Sequence, residues 1–254
     1  MGIVELFSLK GKTGYVTGGA RGIGKSIAYG LAEAGARVAI VDIDIAEAEE
    51  TAEELRESGF ESFAIRADVT HKGQVDQMVE RIVRQWEKLD IAVNNAGKCL
   101  NAPGVDMTEA EWEDVLNVNL KGVFLTNQAA GRLMIEQKSG SIINIASMSA
   151  RIVNHPQPQV AYNASKAGVV MVTKSLAVEW APYGVRVNCI SPGYTRTDLT
   201  LAMKDLFCIW EKMTPMKRLA EPDELKGAAV YLASEASRFV TGHDLVVDGG
   251  FTLW

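Results

Sequence analysis

The sequence predicts an α/β protein: a three-layer α/β/α sandwich built on one doubly wound, mostly parallel sheet. Three observations predict it. Short β-rich runs alternate with helix-period segments, a glycine turn follows the first of those runs, and no linker, repeat or low-complexity tract interrupts the alternation. Thr13 to Val16 reads as a strand leading into Gly18-Gly19-Ala20-Arg21-Gly22-Ile23-Gly24, after which Ile23, Ile27 and Leu31 recur at helical spacing. Val38 to Val41 reads as the second strand, Ala46 to Glu57 as a charged helix, and Ser62 to Ile65 as the third strand. Val75, Met78, Val79, Ile82, Val83 and Trp86 share one helix face and precede the strand Ile91-Ala92-Val93. A helical stretch from Thr108 to about Glu136, a strand Ser141 to Ile145, a helix Tyr162 to Trp180 and a strand Val185 to Ile190 continue the pattern. Thr200 to Ser234 reads as a helical insert broken at Pro215 and Pro222, and Leu245-Val246-Val247 reads as the last strand. Residues 1–254 are expected to form one domain, with a small helical lid at about 198–221.

With 254 residues, 47% hydrophobic and 23% charged, the chain can bury the core of one large domain. The net charge of −6 offers no basic surface, so neither nucleic acid nor an anionic membrane is an expected partner. Cys99, Cys189 and Cys208 are odd in number and lack CxxC spacing, which fits neither a disulfide framework nor a zinc knuckle and suits a reducing cytoplasm. Met1 to Lys12 has no basic n-region, and Leu6 stands where a myristoylation signal needs Ser or Thr. His71, His155 and His243 make no HExxH, so no catalytic metal is expected.

The glycine turn lies at a strand's carboxyl end, where doubly wound sheets bind ligands. Gly18, Gly22 and Gly24 have GxxxGxG spacing between a strand and an amphipathic helix, so the backbone can approach a pyrophosphate at a helix N-terminus. Together these features predict a Rossmann-type dinucleotide site. Asp42 ends the next strand, where a carboxylate accepts hydrogen bonds from ribose hydroxyls and repels a 2′-phosphate, favouring NAD over NADP. The other reading of Asp42 is a cap for the following helix. Arg21 argues for phosphate, or is a solvated loop charge; Asp42 is given more weight.

Tyr162 and Lys166 stand one turn apart on a helix, and Ser147 follows the strand Ser141 to Ile145 at the same edge as the glycine turn. A phenol with a pKa of ~10 is a poor base at neutral pH, so a neighbouring ammonium has a catalytic purpose in stabilising the phenolate.

At this point the chain resembles the short-chain dehydrogenase/reductase family over essentially its whole length. The ordered motifs are Thr17 to Gly24, Asp68-Val69, Asn94-Asn95-Ala96-Gly97, Asn119, Ser147, Tyr162 with Lys166, and Pro192-Gly193. The resemblance implies that Tyr162 is the acid/base, Ser147 orients the substrate oxygen, Lys166 holds the nicotinamide ribose and tunes Tyr162, and Asn119 supports a water relay to Lys166. It also puts Gly18, Arg21, Gly22, Ile23, Gly24 and Asp42 around the nucleotide, Asp68 and Val69 at the adenine, Asn95, Ala96 and Gly97 along the ribose, and Pro192, Gly193 and Thr195 at the carboxamide. Asn119 could instead be a polar surface residue, and Ser149 competes with Ser147 as the catalytic hydroxyl.

Between Ser147 and Tyr162 lie Ser149, Asn154, His155, Gln157 and Gln159, donors and acceptors suited to a polyhydroxylated substrate. A solvated loop stiffened by Pro156 and Pro158 is the competing reading. Ser147-Met148-Ser149, Ile152-Val153-Asn154 and the ending Val247 to Trp254 resemble sugar-alcohol dehydrogenases of the galactitol type, implying a polyol or ketose substrate. The alternatives are an NADPH-dependent 3-oxoacyl thioester reductase, which would need a basic patch for an acidic carrier, and a non-catalytic nucleotide-binding sensor. Apolar excess on the helix carrying Val169 to Val172, on Asp114 to Ala130, and at Phe251, Leu253 and Trp254 points to covered surfaces. A tail folded on its own sheet is the simpler reading. Resemblance to tetrameric relatives implies a homotetramer, with the terminal carboxylate a candidate holder of a structural divalent ion.

Overall fold

The computed structural model describes residues 2–254. The chain opens with a one-turn helix α1 (Ile3–Leu6), then β1 (Thr13–Thr17), α2 (Gly22–Glu33), β2 (Arg37–Asp42), α3 (Ile45–Glu57), β3 (Ser62–Arg66), α4 (Lys72–Trp86) and β4 (Ile91–Asn94). It continues with α5 (Glu109–Leu116), α6 (Val123–Gln137), β5 (Gly140–Ile145), α7 (Val160–Trp180), β6 (Val185–Pro192), α8 (Asp198–Leu201), α9 (Phe207–Met213), α10 (Lys226–Ala233) and β7 (Asp244–Val247). All strands pair in parallel in the order β3-β2-β1-β4-β5-β6-β7. The order reverses between β1 and β4, and a crevice opens at the carboxyl ends of the strands there.

Alternation along the strands builds the layers. Val16, Val38, Ile40, Ile91, Val93, Ile143 and Ile145 pack with α2, α3 and α10 on one face. Their neighbours Tyr15, Ala39, Val41, Ala92, Ile142 and Val187 pack with α4, α6 and α7 on the other. Those strands read as near-continuous apolar runs because both faces are covered.

The fold departs from the sequence expectations in two places. The stretch Thr108 to Glu136 is not one helix: α5 and α6 are joined by a π-helical turn over Asn117–Gly122. Single π turns of this kind concentrate at functional sites because they push one side chain off the helical ladder. The segment 200–234 is likewise not one insert. Only α8, the 3-10 turn Lys204–Leu206 and α9 stand over the crevice, whereas α10 returns to the outer layer against α2. The physical reason is that Leu225, Ala229 and Leu232 complete the apolar face shared with α2.

Candidate active site

One cavity of about 710 Å³ runs along the carboxyl edge of the sheet. Every residue singled out from the sequence lines it except Gly24, Asn119 and His155. Gly24 lies behind the turn, where a Cβ would fall 1.9 Å from the Gly18 carbonyl oxygen. Its role is to let α2 start directly against β1. Gly18 and Gly22 take φ of +59° and +56°, the left-handed region where a side chain is strained.

At the nucleotide end, Asp44 rather than Asp42 caps α3, accepting from the amides of Ala46 at 3.0 Å and Glu47 at 3.3 Å. Asp42 is therefore free of the capping role and faces the cavity, bonded to the amides of Ala20 at 3.3 Å and Asp44 at 3.2 Å. Arg21 is largely exposed and pairs with Glu47 at 3.4 Å. Asp68 accepts from the Thr70 amide at 2.9 Å, which turns the chain after β3 and leaves Val69 on the cavity wall.

Asn95 does something other than face a ribose alone. Its Nδ2 donates to the carbonyls of Thr17 at 3.1 Å and Gly18 at 2.9 Å, while Thr17 Oγ1 accepts from the amides of Asn95 and Ala96. These bonds clamp the glycine turn to the end of β4. At the far end, Gly193 passes so close to β7 that a Cβ would meet the Asp248 Cα at 2.7 Å, and Thr195 Oγ1 donates to the Gly193 carbonyl. A carboxylate, a glycine cradle and an ammonium along one cavity match the chemistry of a nicotinamide dinucleotide.

Lys166 is buried beneath the centre of the cavity, donating to the Ile145 carbonyl at 2.7 Å, with its Nζ 5.6 Å from the Tyr162 ring centroid. Burial pulls its pKa down to about 8 and pushes the Tyr162 phenol up, even though Ser147 hydrogen-bonds to that phenol and opposes the rise. In the protein alone desolvation dominates the phenol, and the expected acidification of Tyr162 by Lys166 does not appear. Ser147 Oγ accepts from the Ser149 amide at 3.1 Å and donates to Ser149 Oγ at 3.0 Å, so the two hydroxyls form one pair.

Asn119 is fully buried, not a surface amide. The π turn aims it at the loop after β4, where its Oδ1 accepts from the Lys98 amide at 2.9 Å and its Nδ2 donates to the Lys98 carbonyl at 2.8 Å and to Ser165 Oγ at 3.1 Å. Gly97 lies between Asn119 and Lys166, where a Cβ would make ordinary contacts of 3.4 Å to Asn119 Oδ1 and 3.6 Å to Lys166 Nζ.

Asn154, Gln157 and Gln159 are buried and line the cavity, whereas His155 points to solvent. The segment is not a solvated loop at those three positions. Their amides bond to one another and to the Tyr194 hydroxyl. Sequence reading missed Tyr194 and Trp210, whose rings stack at 4.0 Å and 8° on the cavity wall. Tyr194 directly follows Pro192-Gly193 at a strand's carboxyl end, a signal that could have found it; Trp210 carried none. Cys99 also lines the cavity, its thiol pushed up to about 11 by burial.

Known proteins are similar to this chain over its whole length. A family model described as Enoyl-(Acyl carrier protein) reductase matches residues 18–252. Galactitol 2-dehydrogenase of Rhizobium johnstonii is 41% identical over all of both chains. The crystal structure of a short-chain type dehydrogenase/reductase from Mycobacterium marinum superposes with a TM-score of 0.97 at 43% identity, covering 99% of each chain. A gluconate 5-dehydrogenase from Burkholderia cenocepacia, solved in complex with NADP and tartrate, gives 0.95 at 38% identity over 100% of both. Sheet order, cavity and full-length likeness agree, and the chain belongs to the short-chain dehydrogenase/reductase family of nicotinamide-dependent oxidoreductases.

Proposed function

We propose that this protein interconverts a secondary alcohol of a polyol and the corresponding ketose, with Tyr162 as the acid/base and NAD as the preferred cofactor. The observation that carries the reading is the cavity itself, which sets Ser147, Tyr162 and Lys166 against a wall of buried amides and a phenol from Asn154, Gln157, Gln159 and Tyr194. Those amides hold one another and Tyr194 in a polar wall that a polyol can share and a steroid or acyl chain cannot, which counts against the 3-oxoacyl reading. The names of the similar galactitol 2-dehydrogenase and gluconate 5-dehydrogenase lie in the same substrate class.

The bound cofactor supplies the hydride acceptor for alcohol oxidation. Ser147 Oγ, held by the Ser149 amide, donates to the substrate oxygen. Tyr162, as the phenolate that the buried Lys166 ammonium stabilises, takes the proton of that oxygen on its Oη and becomes the neutral phenol, which gives the proton back in ketose reduction. Asn119 fixes the Lys98 backbone and so the loop from Gly97 to Cys99 beside Lys166. Segment 198–213 acts as the lid, its Met203 and Trp210 covering the substrate end.

NADP is the second reading, supported by Arg21 and by the NADP bound to the similar gluconate 5-dehydrogenase. Asp42, freed from helix capping, favours NAD. Three unpaired thiols suit a cytoplasmic setting, and no helix among the described residues is long and apolar enough to cross a membrane. No group of three or more His, Cys, Asp or Glu side chains comes together among the described residues.

The test is a panel of polyols and ketoses with NAD and NADP. Wild type is expected to prefer a polyol with NAD, Asp42→Ala to narrow the gap to NADP, and Tyr162→Phe to lower kcat by about 10³-fold or more with dinucleotide affinity kept. Near-normal turnover by Tyr162→Phe overturns the mechanism, and a higher kcat/KM with NADP in wild type overturns the cofactor preference.

A further inference from the structure

The substrate end of the cavity is closed by a hydrogen-bond chain whose direction is set from one end. An indole N–H can only donate, and Trp210 Nε1 donates to Gln157 Oε1 at 3.3 Å. That turns the Gln157 amide nitrogen toward Tyr194, whose hydroxyl oxygen accepts from Gln157 Nε2 at 2.8 Å. Asn154 is oriented in the same sense, accepting from Gln159 Nε2 at 3.0 Å through its Oδ1 and donating from its Nδ2 to the Tyr194 oxygen at 3.1 Å. The ring is held by Trp210 against one face and by Phe251 edge-on, with centroids 5.3 Å apart for the latter pair. Among the described residues no protein acceptor faces the remaining Tyr194 proton. Both acceptor positions of the oxygen are taken, so toward the cavity this phenol can only donate.

We propose that Tyr194 is a specificity-determining donor of this enzyme: its O–H binds an acceptor oxygen of the substrate remote from the reacting carbon, and the lid residue Trp210 imposes that direction through Gln157. The inference rests on the polyol reading above and narrows it. A hydroxyl or carboxylate oxygen several bonds from the reacting carbinol satisfies the donor, whereas an alkyl chain leaves a half-buried O–H unpaired and is rejected. Because Trp210 sits on α9, seating the lid and presenting the donor are the same event.

The test compares the best hexitol of a panel with 2-hexanol, a chain of the same length bearing one oxygen. Wild type should favour the hexitol. Tyr194→Phe, which keeps the ring stack, should lower kcat/KM for the hexitol about 10- to 100-fold, mainly through KM, and for 2-hexanol less than about 3-fold. Trp210→Phe keeps an aromatic partner but frees Gln157 to turn over, and should lower the hexitol value by a smaller factor of about 3 to 10, again through KM. Melting temperatures of both variants establish that they are folded. Equal loss on both substrates in Tyr194→Phe, or no loss, overturns the donor role and leaves the polyol reading standing. A Trp210→Phe enzyme indistinguishable from wild type overturns the part in which the lid sets the direction. A wild type that uses 2-hexanol as well as any hexitol, or uses no hexitol, overturns the polyol reading and the donor role together.

Discussion

Lys166 shows how far the side chain proposed to tune Tyr162 works against the fold that holds it. Its ammonium is 3% exposed, and burial lowers its pKa from 10.5 to about 8. The unfolded chain keeps that proton up to about pH 10.5 while the folded chain sheds it near 8, so between those values the unfolded state binds more protons and stability climbs with pH. Below pH 8 the penalty is fully present, on the order of 3 kcal/mol before its hydrogen bond to the Ile145 carbonyl offsets part of it. Lys166→Met is therefore expected to raise the urea midpoint at pH 7, to flatten the climb between pH 8 and 10.5, and to abolish turnover. A variant less stable than wild type at pH 7 would show that the ammonium is a net structural asset. The convergence of Ser147, Tyr162 and Lys166 on one cavity was legible because their spacing and strand-end placement are local, and so was the place of Asp42 on its wall. Its release from helix capping was not, since Asp42 and Asp44 are equally good caps on paper and only the path of the chain into α3 selects Asp44. The direction of the Tyr194 proton lay beyond sequence altogether, because it depends on Trp210, 16 residues further along and brought back by the lid.

Glycines within elements separate constraint from tolerance. At Gly24 a Cβ would meet a backbone oxygen at 1.9 Å, an atom that cannot move without shifting the whole glycine turn. At Gly73, inside α4, a Cβ meets nothing within 4 Å. Gly24→Ala is expected to cost more than about 2 kcal/mol and at least tenfold in dinucleotide affinity, while Gly73→Ala should stabilise by about 0.5 to 1 kcal/mol. Thermal melts with fluorescence titration of NADH decide both; matching melts for the two variants would contradict this reading of α2. Strands and most helices were legible because periodicity reports burial. The π turn at Asn117–Gly122 was not, since Val118, Leu120, Val123 and Phe124 keep a helical pattern across it. What breaks the ladder is the pull on Asn119 from the Lys98 backbone and Ser165, both distant in sequence.

Three of the places where the isolated chain leaves apolar surface are α7, α6 and the C-terminus. Met171 on α7 is 61% exposed, Phe124 on α6 is 42% exposed, and Leu253 and Trp254 at the C-terminus are 83% and 77% exposed. Phe251 is buried against Tyr194 and Trp254 Nε1 donates to the Met213 carbonyl at 3.0 Å, so the tail lies on its own chain while most of the Leu253 and Trp254 side chains stays uncovered. Covering each large side chain is worth about 1.5 to 3 kcal/mol, and two separate surfaces suit dihedral symmetry. A homotetramer is the expected state in sedimentation, and removal of Leu253 and Trp254 is expected to weaken assembly and activity together. A stable, active monomer at micromolar concentration would refute the assembly, and an active tetramer after truncation would refute the part played by the tail.

By itself the sequence determined the three-layer fold, the place of the glycine turn, and the pairing of Tyr162 with Lys166, because each rests on residues within a few turns of one another. Only the tertiary structure decided how the buried polar groups share their bonds. Asn119 on the Lys98 backbone, Asn95 on Gly18, and Trp210 on Gln157 are all contacts across 16 or more residues of chain. A hydrogen-bond partner is chosen by position in space, and no periodicity records it.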